Sequence, residues 1–270
     1  MHPIEHLRYV ARAQGADPSS LVEETAHALG SLHFDPSGLV VACRRIVERH
    51  PFTGALWWLC ANVATSAEPF EAVWELADEI RSDRTGAELA AILPDEADVV
   101  TIGDPDVIGD GLVRRGDVRV LALDAGFTAT SFVRRMERYD VDVEAIDAGV
   151  AGAAVRSADV VLVEALGVDS ERCIVPMGSS TIAAAASVFG TELWLVAGVG
   201  RRLPSGFLDA MVAKVDASNA DSDAWELDVE VLPTSIFTHV VGPHGKVPMG
   251  PPAIVAECPM AHELLRPSHI

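Results

Sequence analysis

The sequence predicts an α/β protein: a Rossmann-like, mostly parallel sheet with helices on both faces, preceded by an all-helical N-terminal region. Three observations carry this. Up to about residue 93, apolar positions recur at helical spacing and no strand-like run interrupts them. After Pro94, short β-branched runs alternate with helix-length segments, the rhythm of a parallel sheet. Ser157–Pro204 then condenses that rhythm into one strand–loop–helix–strand crossover. The expected division is a helical domain over residues 1–93 and a Rossmann-like α/β domain over 94–270.

In the first part, Ser20-Leu21-Val22-Glu23 reads as a capping box, with Leu21, Ala28 and Leu29 on one apolar face. Asp35-Pro36 gives a cap and a first-turn proline, followed by Leu39, Val40, Cys43, Ile46 and Val47. Thr53 is placed to cap a third helix through Ala55–Thr65. Pro69 opens a fourth with Val73, Trp74, Ala77 and Ile80 on one stripe, and Thr85-Gly86-Ala87-Glu88 is a further capping box. In the second part the expected strands are Val99–Ile102, Val118–Leu123, Val143–Ile146, Val160–Val163, Cys173–Val175, Leu193–Ala197 and Val229–Leu232. Helices are expected near Pro105–Arg115, Thr128–Tyr139 and Gly149–Ser157. The polar stretch 214–228 reads as an exposed loop.

Composition narrows the function classes. Aromatics are only 6%, which suits an Ala/Val/Leu-packed α/β core. A formal net charge of −20 argues against nucleic acid, whose affinity comes largely from neutralised phosphates, and against an anionic membrane surface. Lys214 and Lys246 are the only lysines among 20 basic residues, and this balance reads as surface solvation from a high-GC or salt-adapted source. Cys43, Cys60, Cys173 and Cys258 form no Cys-x-x-Cys pair and read as free thiols. With no apolar run of membrane length and no signal pattern at Met1–His6, the expectation is a cytoplasmic protein. No metal site and no cofactor is expected: Cys258 and His262 lack a further ligand pair, and Gly198-Val199-Gly200 lacks the third glycine of a dinucleotide fingerprint.

The chemistry concentrates at strand ends. In open parallel sheets, ligands sit beyond the carboxyl ends of the strands where strand order reverses. Gly103-Asp104, Asp124-Ala125-Gly126 and Glu164 fall at such ends. Asp104 and Asp124 can cap the helices that follow or face a ligand. Glu164 follows four apolar strand residues, where desolvation would raise its pKa and fit it for acid/base work; otherwise it pairs with an arginine. Gly178-Ser179-Ser180-Thr181 opens an alanine-rich helix. Its free N–H groups and dipole can seat an anion, or its serines can simply cap. Arg49 and Arg201, with their planar donor forks, are candidate partners for phosphate.

These stretches also resemble a known family, the translation initiation factor 2B alpha/beta/delta subunits, which includes methylthioribose-1-phosphate and ribose-1,5-bisphosphate isomerases. Val161–Leu166 resembles the family's apolar strand ending in Gly-Ala-Asp, and Val175–Ser179 its Asn-Lys-Ile-Gly-Thr segment. Arg49–Leu56 is similar to its Arg-Pro-Thr loop. Val231–Thr238, followed by Gly242 and Pro248, is similar to its late Val-Pro-x-x-x-Ile-Thr segment. The resemblance implies a sugar-phosphate or nucleotide ligand held by Arg49, Thr53, Gly103, Gly178, Ser179, Ser180, Thr181 and Arg201. It also implies a homodimer formed through the α/β region, with Val231–Met249 able to supply part of the interface. Yet the isomerases' cysteine and aspartate fall at Gly103 and Leu166 here, so the family's acid/base pair is missing.

Three functions follow. The leading expectation is a protein that binds a phosphorylated small molecule without isomerase chemistry. The alternatives are an aldose–ketose sugar-phosphate isomerase using Glu164, Asp104 or Asp124, and a structural homo-oligomer with an empty pocket.

Overall fold

The computed structural model describes residues 18–31, 36–125, 128–221, 223, 226–250 and 253–266; Met1–His6, Asp35 and Gly126 lie outside them. Among the described residues, five helices come first: α1 (Pro18–Gly30), α2 (Pro36–Arg49), α3 (Gly54–Thr65), α4 (Pro69–Arg81) and α5 (Thr85–Ile92). Helix α3 carries no charged residue and is buried on nearly every side, as an all-round apolar helix must be. Around it pack Leu29 of α1, Ile46 of α2 and Val73 of α4, together with Phe207 and Met211 from the α/β part. Trp57 lies 5.2 Å from the Phe207 ring, and Trp58 donates to Glu257 O, so both tryptophans meet the α/β part.

The caps differ from expectation. Ser20 lies inside α1, which begins at Pro18. Thr53 stands at the N-cap of α3 but its side chain makes no capping bond; its carbonyl starts the helix by accepting from Leu56 N. Thr85 opens α5 with Arg84 at the N-cap, and Asp83 before it accepts through Oδ1 from Thr85 N and Oγ1 at 2.8 and 2.6 Å. Trp74, expected on the apolar stripe, is 44% exposed and meets His27 edge-on.

The α/β part follows as β1 (Asp98–Ile102), α6 (Asp106–Arg115), β2 (Arg119–Leu123), α7 (Ala129–Glu137), β3 (Asp142–Ile146), α8 (Ala151–Ser157), β4 (Val160–Glu164), β5 (Gly167–Val168), β6 (Arg172–Pro176), α9 (Ser179–Phe189), β7 (Glu192–Val196), α10 (Ser205–Asp221), β8 (Val229–Pro233), β9 (His239–Gly242) and β10 (Gly245–Pro248). The main sheet runs β10-β9-β7-β4-β1-β2-β3, with only β10 antiparallel. Alternate residues of β4 face opposite layers. Val161 and Val163 pack with Ile182 of α9 and Val155 of α8, while Val160 and Leu162 pack with Ile108 of α6 and Phe132 of α7. Leu89 of α5 joins the second of these cores.

Three features depart from the sequence reading. The strands at Cys173–Val175 and Val229–Leu232 belong to a separate antiparallel sheet, β5-β6-β8. The reversal is made by Asp169, whose Oδ1 accepts from Glu171 N and Arg172 N. Residues 214–221 continue helix α10 rather than a loop, because Leu208, Met211 and Val215 anchor one side while Lys214 and Asp216 face solvent. The short strands β5, β9 and β10 were not expected. No described helix is long and apolar enough to cross a membrane.

Candidate ligand site at the carboxyl edge of the sheet

Strand order reverses between β1 and β4, so the crevice expected of such sheets lies at Gly103-Asp104 and Glu164–Leu166. Glu164 ends β4 on the side facing α6. Its Oε2 accepts from Ile108 N at 3.1 Å, and its Oε1 lies 3.4 Å from Arg201 Nη2. Both side chains are almost wholly buried. Desolvation pushes the Glu164 carboxyl up to about 7; Arg201 pulls it down, Asp106 raises it, and the N–H groups of Ile108 and Val107 lower it. Arg201 Nε and Nη1 have no hydrogen-bond partner among the described residues. A buried guanidinium so placed carries unused donor capacity.

The start of α9 lies on the other face. Gly178 takes φ +93°, and a side chain there would meet Ile102 Cδ1 at 3.0 Å and Ala125 Cβ at 3.3 Å. Ser179 is buried and donates through Oγ to Pro176 O at 2.6 Å. Thr181 N donates to Gly178 O. Ser180 N donates to Glu230 Oε1 at 2.9 Å, so a carboxylate of the chain itself sits on this helix start. Glu164 and the α9 start thus flank opposite sides of the sheet edge and do not converge.

The remaining nominees take ordinary partners. Asp104 pairs with Arg135 at 2.7 Å, and Asp124 Oδ1 caps α7 by accepting from Ala129 N at 3.2 Å. Gly103 takes φ +71° and donates its N–H to Leu123 O. Arg49 ends α2 and is exposed; Thr53 is half-buried. The next residue, Gly54, donates to Leu166 O at 2.8 Å, and a side chain there would stand 2.3 Å from that oxygen. The Arg49–Gly54 loop is therefore pressed against the link from β4 to β5.

Three acids that local reading missed complete the picture. Asp83 Oδ2 accepts from Val199 N at 2.9 Å, Glu257 Oε2 from Gly200 N at 2.9 Å, and Glu230 from Ser180 N. Glu257 also pairs with Arg202; burial raises its pKa and Arg202 opposes the shift. No local motif announces these contacts. A cavity of about 270 Å³ lies elsewhere, among Ser170, Thr234, Phe237, Met249 and Ile254, and none of the nominated ligand or catalytic residues lines it.

No family model matches the chain, and no curated protein does. Solved structures match over almost its whole length. The translation initiation factor eIF-2B of Pyrococcus horikoshii OT3 superposes with a TM-score of 0.78 at 14% identity, covering 94% of this chain and 98% of that one. A chain of the tetrameric eIF2B-beta2-delta2 complex from C. thermophilum gives 0.68 at 13%, covering 92% and 90%. The 5-methylthioribose 1-phosphate isomerase of P. horikoshii OT3 gives 0.65 at 13%, covering 93% and 85%. The chain has the fold shared by these factor subunits and this isomerase, the fold that its sequence motifs resemble.

Proposed function

We propose that this chain is a divergent eIF2B-type protein that binds a phosphorylated small molecule, a nucleotide or sugar phosphate, at the carboxyl edge of its sheet without isomerising it, and works as a homodimer. The observation that carries the loss of chemistry is the position of Glu164. It stands two residues before the slot that Leu166 fills, and its carboxylate is committed to Ile108 N and Arg201 on the face away from the α9 start. The start of α9 supports binding, because Ser180 and Thr181 are exposed at a helix N-terminus that already holds an anionic group of the chain. A phosphate at the α9 start would replace Glu230 on Ser180 N.

A panel of ribose phosphates and nucleoside monophosphates in a thermal-unfolding assay tests this. A ligand at 100 times its dissociation constant stabilises the fold by about 2.7 kcal/mol. Stabilisation without conversion supports the reading; conversion of a sugar phosphate would replace it with the isomerase. Silence across the panel would favour the other reading, a structural homo-oligomer. That reading has one specific observation in its favour: Glu230, Asp83 and Glu257 already occupy the backbone N–H groups a ligand would use.

A further inference from the structure

The cavity of about 270 Å³ has a lining unlike the rest of this acidic molecule. Part of it is apolar: Phe237 is buried, and Met249 and Ile254 pack half-buried against the core that holds Val168, Cys173 and Leu232. The polar part is three hydroxyl residues, Ser170 from the turn between β5 and β6, and Thr234 and Ser235 from the short helical turn after β8. The two turns are tied together, since Thr234 N donates to Glu171 O at 2.9 Å and Thr234 Oγ1 to Ser170 O at 3.0 Å. With its proton committed, Thr234 Oγ1 keeps acceptor capacity. Ser170 and Ser235 are exposed, and their hydroxyls bond to no other described residue. No charged side chain lines the cavity, in a chain of net charge −20. Asp169, the acid beside Ser170, is spent on its own turn: it accepts from Glu171 N, Arg172 N and Arg172 Nη2.

We propose that this cavity is a second ligand site, for a small uncharged molecule that carries a hydroxyl on an apolar ring. Charge excludes ions. An anion would enter the field of an acidic chain with no arginine or lysine in the lining to receive it. A cation would give up its water with no lining carboxylate to replace it. Size limits what remains: at about 30 Å³ per water the cavity holds about nine waters, the room of about ten non-hydrogen atoms. Apolar walls with a few placed polar groups are the usual make-up of small-molecule sites. Here Phe237, Met249 and Ile254 receive the ring, and the flexible thioether of Met249 adapts to its outline. Ser170, Thr234 and Ser235 receive the hydroxyl. The site shares no lining residue with the phosphate crevice and does not depend on that reading.

NMR of the full chain with isotopically labelled methionine methyl groups tests the proposal, the Met249 signal being identified by its loss in Met249→Leu. The probe is benzyl alcohol, with benzoate and benzylamine as ionised controls of nearly the same shape. The expected result is a saturable shift of the Met249 methyl at millimolar benzyl alcohol, and none with benzoate, benzylamine or ribose-1,5-bisphosphate. Ser235→Trp, at an exposed position of the lining, should abolish the shift while the circular dichroism of the wild type is kept. Ser170→Ala, which removes a hydroxyl and adds no bulk, should weaken binding by about 3- to 10-fold, the size of one hydrogen bond. A Met249 methyl that benzyl alcohol leaves unmoved overturns the site. An equal shift with benzoate, benzylamine or the sugar phosphate overturns the uncharged class. A shift that both variants leave unchanged places the alcohol elsewhere and overturns the location. Each of these results leaves binding in the phosphate crevice to be decided by its own assay.

Discussion

The starts of α6 and α9 form an instructive pair. Both helices receive a carboxylate of the chain at their N-terminus, Glu164 at Ile108 N and Glu230 at Ser180 N. At α6 the acid is sealed with Arg201 inside the protein, and burial raises its pKa to about 7. At α9 the acid reaches in from β8 to a helix start whose Ser180 and Thr181 are exposed. Dipole and donors are alike at the two ends; solvent is the difference. A sealed acid is a structural component with an energetic cost, whereas an acid at an open helix start can be exchanged for another anion.

The largest effect that would sharpen this contrast is removal of Arg201. Arg201→Met leaves Glu164 buried without its cation, and should cost about 3–5 kcal/mol in denaturant unfolding at pH 8. The loss should shrink at pH 6, where Glu164 takes up a proton. An unchanged midpoint at pH 8 would mean that Glu164 is hydrated and the sealed half of the comparison is wrong.

Next in size is the pH dependence. Glu164 holds its proton more tightly folded than unfolded, because its folded pKa, about 7, exceeds the ordinary 4.5. Its contribution to stability is therefore greatest at or below pH 4.5, declines as pH rises through the window to about 7, and is flat above. The slope within that window is about 1.4 kcal/mol per pH unit. Glu164→Gln should remove this component from unfolding curves recorded at pH 5, 6, 7 and 8, so that only other groups shape the remainder. An identical profile in the variant would assign the titration elsewhere.

The smallest effect belongs to the open helix start. Glu230→Gln should lower stability by only about 0.3–1 kcal/mol, the size of an exposed charge–dipole contact. It should also tighten binding of a phosphate ester several-fold by removing the competing charge, as read by calorimetric titration. Weaker binding in that variant would show that Glu230 assists the ligand instead of competing with it.

Much of this arrangement was legible in the sequence, and its limits have a physical cause. The alternation of apolar strand and helix after Pro94 fixed β1 to β4 and β7 within about a residue, because periodicity is local. Glu164 also stood out locally, as an acid directly after an apolar strand, and arginine pairing was one of the two readings it allowed. The other acids did not. Glu230, Asp83 and Glu257 reach their N–H partners across 50, 116 and 57 residues, and nothing in their neighbouring residues marks them. The same holds for β6 and β8. Each looks like a strand, but the turn made by Asp169 folds β6 back on β5, and β8 joins β6 by long-range antiparallel pairing. Residues 214–221 read as loop for a related reason: beyond Val215 they are polar, and tertiary anchoring of the first three turns of α10 carries the helix to Asp221.

The central claim is binding without isomerisation, and phosphorus NMR of ribose-1,5-bisphosphate mixed with stoichiometric protein tests it most directly. The expected result is broadened or shifted phosphate resonances, with no ketose-phosphate signal appearing over many hours. Growth of a ketose bisphosphate resonance, abolished by Glu164→Gln, would contradict it and make Glu164 the acid/base of a working isomerase.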